Sequence, residues 1–218
     1  QAQYGAGLQF TMSGLTARGR AQFSPERLRE SWEVLRGNSS GMSPAARDEL
    51  HAGMIAHVRG MMTHAGDCSN LILDPDLDSY YLMDAALLAL PQTLNRLSAT
   101  VRNATLLWGA GDDSRTNQTT LLLAAALFKE VDQDRIGASL QTAIVEDGNF
   151  YGIQASLKSN LEPPLRTYNQ ATDQFLQHLR QRAQGDQPGG DLPQFRQAGD
   201  AARIAALTLW HATANELE

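Results

Sequence analysis

The chain has a single cysteine, Cys68, so no internal disulfide can staple it and its 218 residues must rely on a packed core. One cysteine suits the cytosol and a bacterial periplasm equally. Lysine is almost missing, Lys129 and Lys158 being the only two, and no basic stripe survives in a sequence of formal charge −6. That argues against a nucleic-acid partner. Aromatic residues make up 6 % against 42 % hydrophobic overall. Alanine and leucine supply most of the difference, which favours helix-on-helix packing over a sheet sandwich. No run of eighteen apolar residues and no leader-like segment occurs.

The hallmarks of catalysis are missing too. There is no G-x-S-x-G, no H-E-x-x-H, no glycine-rich phosphate loop and no C-x-x-C. Glu146 and Asp147 form a carboxylate pair with no histidine or nucleophile nearby to complete a site. A non-enzyme, without cofactor or metal centre, is expected.

What is present is helix, cut by breakers. Phe10 to Phe23 reads as weakly helical, and Ser24-Pro25 starts a helix with Ser24 as N-cap and Pro25 at N1. Ser43-Pro44 repeats that start, and Asp74-Pro75 uses it a third time, opening a run to about Trp108. Further runs are expected from Ser114 to Val145, from Ser156 to Gln184, and from Leu192 to the end. No strand-like alternation and no repeat of fixed period is found. Most runs are about thirty residues, roughly 45 Å as helix. The expectation is an all-α fold, a long antiparallel bundle whose helices alternate up and down and return both chain ends to one side. Trp32, Trp108 and Trp210 are expected to pack at bundle ends. Gln1 stands where an initiator methionine would, and LTLWHATANELE ends within helical sequence, so a soluble piece of a longer protein is expected.

The densest signal is SNLILDPDLDSYYLMD, Ser69 to Asp84. Asp74, Asp76 and Asp78 alternate as in the first half of a calcium loop. Ser79, however, stands where the turn glycine is needed and Ala85 where the bidentate glutamate belongs. Helix-start chemistry accounts for Asp74 as cap, Pro75 at N1 and Asp76 in the first turn. It leaves Asn70, Asp78, Tyr80, Tyr81 and Asp84, whose roles are either architectural or ligand-contacting. As a site these five would favour cationic or polyhydroxylated ligands over organic acids, unless an arginine such as Arg96 enters.

A second series, Met54, His57, Met61, His64 and Cys68, recurs at spacings of three and four. Imidazole, thioether and thiolate together could serve copper or haem. The same spacing is also a heptad seam where one bundle helix meets its neighbours, and this packing reading is preferred.

The run Cys68 to Asp84, followed by Leu90-Pro91, resembles a segment of the extracytoplasmic sensor regions of bacterial methyl-accepting chemotaxis proteins and transmembrane sensor histidine kinases. Leu209 to Leu217 looks like the helix that leads in such receptors toward the second membrane span. The resemblance implies a single periplasmic sensor domain over residues 1–218, lying between two membrane spans of an inner-membrane protein. It would be one long bundle or two stacked four-helix modules of the helical bimodular kind. It further implies a homodimer that senses a small polar metabolite and passes the signal through its terminal helices. A periplasmic docking module with no small-molecule ligand is the alternative, and a metal- or haem-binding bundle the weaker one.

Overall fold

A computed structural model describes residues 6–38, 40–69, 76–109, 114–149, 153–184 and 192–217. The described residues are helical with no strand, an all-α fold as expected. The chain divides into two compact units, Gln1–Asp74 and Pro75–Glu218.

In the first unit, α1 (Met12–Ala17) is followed by a 3₁₀ turn (Ala21–Phe23), α2 (Pro25–Asn38) and α3 (Pro44–Cys68). The weakly helical opening breaks because Gly19 takes φ +65°. The Gly19 N–H then donates to Thr16 O and that of Arg20 to Leu15 O, satisfying the last carbonyls of α1. Ser43 caps α3 by accepting from the Ala46 N–H at 3.2 Å. Gly60 is needed for packing: a Cβ there would lie 2.4 Å from the Phe23 ring. Trp32 corrects the expectation of a packing residue, since it is 49 % exposed on α2.

Among its described residues the second unit contains four helical passes. Residues 77–109 form α4, built from Leu77–Met83, a π-helical Asp84–Ala89 and Leu90–Gly109. Residues 115–146 form α5, with a π-helical Phe128–Asp134 between Arg115–Leu127 and Arg135–Glu146. Then come α6 (Leu157–Gln184) and α7 (Leu192–Asn215). Helix α4 packs on α5 and α7, and α6 packs on the same two, so the four close into a ring. The start of α4 meets the end of α5 and the end of α6 meets the start of α7, an antiparallel bundle.

Two apolar clusters fill the bundle. One gathers Leu82, Leu90, Ile136, Leu140, Leu161, Leu165 and Leu209; the other gathers Leu97, Leu121, Phe128, Phe175, Leu179 and Phe195. In the second, Trp108 lies 4.9 Å from Phe195 ring to ring, and Phe195 lies 5.5 Å from Phe175. Burying each such side chain contributes about 1.5–3 kcal/mol. Trp108 and Trp210 pack against these clusters, as expected for two of the three tryptophans.

The π segment of α4 has a local cause. The Leu90 N–H donates to Ala85 O, five residues back, rather than to Ala86 O. In that wider register the Ala86 carbonyl would take its bond from residue 91, which is Pro91 and has no N–H. The orphaned carbonyl is met from across the bundle: the Trp210 indole N–H donates to Ala86 O at 2.8 Å. A proline in the first helix thus fixes a contact with the last one.

Candidate functional site

Asn70, Asp74 and Pro75 lie outside the described residues. The helix of the acidic motif begins two residues later than its sequence suggested: α4 starts at Leu77, so Asp76 occupies the cap position and Asp78 the first turn. Asp76 has extended backbone there (φ −79°, ψ 127°) and makes no side-chain cap bond. Its carbonyl accepts the first helical bond, from the Tyr80 N–H. Asp78 instead meets an orphan donor of the helix start, accepting from the Ser79 N–H at 2.5 Å, and is 8 % exposed.

Tyr80 points outward at 43 % exposure, while Tyr81 packs against the first apolar cluster; their rings meet edge-on at 5.5 Å. Asp84 is turned to α5, where one Arg135 nitrogen donates to both carboxylate oxygens at 2.7 and 3.0 Å. The helix therefore spreads Asp78, Tyr80, Tyr81 and Asp84 over inward, outward and α5-facing directions. Arg96 is engaged elsewhere, about 18 Å further along the helix at 1.5 Å per residue.

The histidine series forms a seam within the first unit. The Nε2 of His57 lies 2.9 Å from Ser24 O, and that of His64 lies 3.0 Å from Leu8 O. Phe23 and Phe10 stack edge-on against the two imidazoles. Arg20, just before the 3₁₀ turn, pairs with Asp67 of α3 at 2.5 Å.

A polar layer in the second unit is the strongest site-like feature of the fold, and sequence inspection missed it. It lies where the α5 π segment faces α4 and α6. The Thr93 hydroxyl donates to Asp132 Oδ1 at 2.9 Å, and Arg96 Nε stands 2.9 Å from Asp132 Oδ2 as an ion pair without hydrogen-bond alignment. Asp132 is only 2 % exposed. Burial raises its carboxyl pKa, outweighing the lowering by the Thr93 bond and by Arg96 and Arg135. From α6, Tyr168 and Thr172 bring two fully buried hydroxyls one turn apart, close enough to interact with each other but met by no other group among the described residues. Burial, with the nearby charge of Asp132, pushes the Tyr168 hydroxyl pKa up and keeps it neutral.

Next to Asp132, the Gln133 Nε2 donates to Asn169 O at 3.3 Å and to Asp173 Oδ1 at 2.9 Å. Gln133 is 5 % exposed, yet its Oε1 has no donor among the described residues. A buried acceptor left unmet costs about 1–3 kcal/mol. Beside it an open surface cleft of about 430 Å³ lies between α5 and α6, lined by Lys129, Gln133, Asp134, Gly137, Asn169 and Asp173, with Asp134 and Asp173 exposed to solvent. That volume is in the range of small-molecule sites. Lys129 Nζ is tied to Asp134 Oδ1. The arrangement holds hydrogen-bonding groups around a cleft, with no nucleophile–base pair among the residues described at it.

A signal for this layer is present in the sequence. The inward series Leu121, Ala125, Phe128, Asp132, Ile136, Leu140 on α5 is interrupted at Asp132, and Leu161, Leu165, Tyr168, Thr172, Phe175, Leu179 on α6 at Thr172. Polar interruptions of an apolar stripe on two helices mark one buried layer only if their registers align. Among the described residues no helix is long and apolar enough to cross a membrane, and none holds three His, Cys, Asp or Glu side chains grouped for a metal ion. The chain matches no family model, no curated protein and no solved structure.

Proposed function

We propose that the chain is a ligand-sensing extracytoplasmic domain of a bacterial transmembrane chemoreceptor or sensor kinase, periplasmic, homodimeric and non-catalytic. The observation that carries this reading is the pairing of α4 with α7. These are the first and last helices of the four-helix unit, they lie side by side, and the Trp210–Ala86 bond clips them together. Leu82 near the start of α4 and Leu217 just past the end of α7 belong to one cluster, so the helices begin and finish at the same end of the bundle. Two helices paired in this way can pass a small ligand-driven shift of one against the other along the bundle, the kind of output such a sensor needs. The polar layer supports the reading as well, since it is the part of the core least well satisfied by the chain itself.

The test is a thermal-unfolding screen of the purified chain against amines, polyols, organic acids and amino acids. A ligand at a hundred times its Kd adds about 2.7 kcal/mol, which raises Tm by about 5–10 °C for a protein of this size. At least one saturable shift of that order is expected, and a flat response across the panel refutes sensing of a small molecule. A docking module is the second reading. It is favoured by Leu123, Leu127 and Val131, spaced four apart and all exposed on α5.

A further inference from the structure

We infer that the π-helical segment of α5 is a two-register switch, whose extra residue moves from one end of the segment to the other and hands Asp132 from Thr93 and Arg96 on α4 to Tyr168 and Thr172 on α6. This rests on the sensing reading only for its use; its physical basis is separate.

The segment has no local cause. In α4 the wide turn is forced by Pro91, whereas no proline occurs between Phe128 and Glu146. What holds the α5 turn is tertiary: Asp132 meets Thr93 and Arg96, and Gln133 donates to Asn169 and Asp173. A wide turn held only by other helices can shift when those contacts change.

Helix geometry defines the second register. Phe128 and Ile136 are both fully buried, yet at about 100° per residue the steps between them overshoot two turns by roughly 80°. One extra residue in a π turn absorbs that overshoot. Counted back from Ile136, Gln133 lies about 60° from the inward direction and Val131 about 140°. The exposures, 5 % for Gln133 and 41 % for Val131, follow that frame. Counted forward from Phe128 the two exchange places, Val131 at about 60° and Gln133 at about 140°. Asp132 lies about 40° from inward in both frames, on the α4 side in the first and the α6 side in the second.

Each register satisfies what the other leaves open. In the observed one Gln133 Oε1 is buried without a donor among the described residues, and Val131 is exposed. The Tyr168 and Thr172 hydroxyls there are met by no group but each other. In the other, Val131 is covered by α4, the Gln133 amide reaches water, and Asp132 turns toward two hydroxyls able to donate to it. The Thr93 and Arg96 contacts and both Gln133 bonds are lost in exchange. Polar contacts replace polar contacts, which keeps the two registers close in free energy, as a switch requires. Thr93 and Arg96 stand on α4, the partner of α7, so the handover loosens α4 from α5 at mid-bundle and couples the segment to the terminal pair.

The test is amide hydrogen exchange of the purified chain, resolved by residue and repeated in urea below the unfolding transition. Exchange from Asp132 to Arg135, where backbone acceptors change, should be at least tenfold faster than from Ile136 to Leu140 and nearly independent of urea. Val131→Asp places a carboxylate where only the second register buries it; protection over 132–135 should rise at least threefold with Tm unchanged. Gln133→Lys favours the register that sends residue 133 to water and should stay folded. In that background Tyr168→Phe should lower the urea midpoint and Thr93→Val should not, whereas in the native background the order reverses.

Exchange over 132–135 that follows global unfolding would overturn the inference. So would protection unchanged in Val131→Asp, the same order of Tyr168→Phe and Thr93→Val in both backgrounds, or a Gln133→Lys chain that does not fold. The sensing reading fails separately, on a flat response across the ligand panel, which leaves these exchange and urea results standing.

Discussion

Replacing Trp210 by phenylalanine keeps an aromatic ring against the first apolar cluster and removes one donor. In the native bundle that donor serves Ala86 O, which neither helical register can satisfy: Leu90 N–H is taken by Ala85 O, and residue 91 is proline. The cost of orphaning a buried carbonyl is about 1–3 kcal/mol. Trp210 is only half-buried, so water reaches the site in part and the lower half of the range applies, about 1–2 kcal/mol. Urea unfolding followed by far-UV circular dichroism measures it from the shift in midpoint at constant m.

The cause is isolated by a second background. Pro91→Ala restores an N–H one position past Leu90, where it can serve the carbonyls that proline leaves open. Trp210→Phe should therefore cost clearly less in Pro91→Ala than in the native sequence. A coupling of at least about 0.5 kcal/mol is expected between these two positions, since they share one acceptor. Equal costs in both backgrounds would refute the argument, as would a Trp210→Phe cost too small to measure.

Three other perturbations follow from the geometry. Gly199→Ala on α7 places a Cβ 2.5 Å from Val101 Cγ2 on α4; it should destabilise by about 1–3 kcal/mol by overpacking, and Val101→Ala should recover most of the loss in urea midpoints. Glu216 accepts from Gln154, Ser156 and Asn160, at 3.1, 2.9 and 2.6 Å, and so ties the end of α7 to the start of α6. Glu216→Ala should cost about 1.5–3 kcal/mol and speed amide exchange in the last turn of α7, with no change in the middle of the bundle. Asp132 gives a pH dependence. Its folded pKa is raised, so from the ordinary value of 3.8 upward to the raised one the native state holds more proton than the unfolded chain. Stability therefore falls as pH rises through that window, and the penalty is constant above it. Asp132→Asn should gain on the native protein in urea midpoints as pH rises above 3.8, and a loss as pH rises would refute the burial argument.

Much of the secondary structure was legible in local chemistry. Ser24 and Ser43, each followed by proline, start helices where the cap rules put them, and Ser114 caps α5 through the Asn117 N–H. The seam of His57 and His64 was equally readable, since a three-four spacing puts both rings on one face. The acidic motif was read two residues early: Asp-Pro is a good helix start, yet Asp76 is the cap residue and Asp78 serves the first-turn N–H. Competing carboxylates at alternate positions offer several starts, and local sequence does not rank them. The π segment of α4 has its cause in Pro91, but a proline inside a helical run can kink, end or widen it, and local sequence does not choose.

The sequence by itself determined that the chain is helical, where most helices begin, and which residues face inward, because capping, proline and 3.6-residue periodicity act within a few residues. Only the tertiary structure decided that Thr93, Asp132, Gln133, Tyr168 and Thr172 meet in one layer, and that Trp210 completes Ala86. Those partners lie from 36 to 124 residues apart. Their meeting depends on the axial register between helices, which the summed packing of two apolar clusters sets and no local pattern encodes.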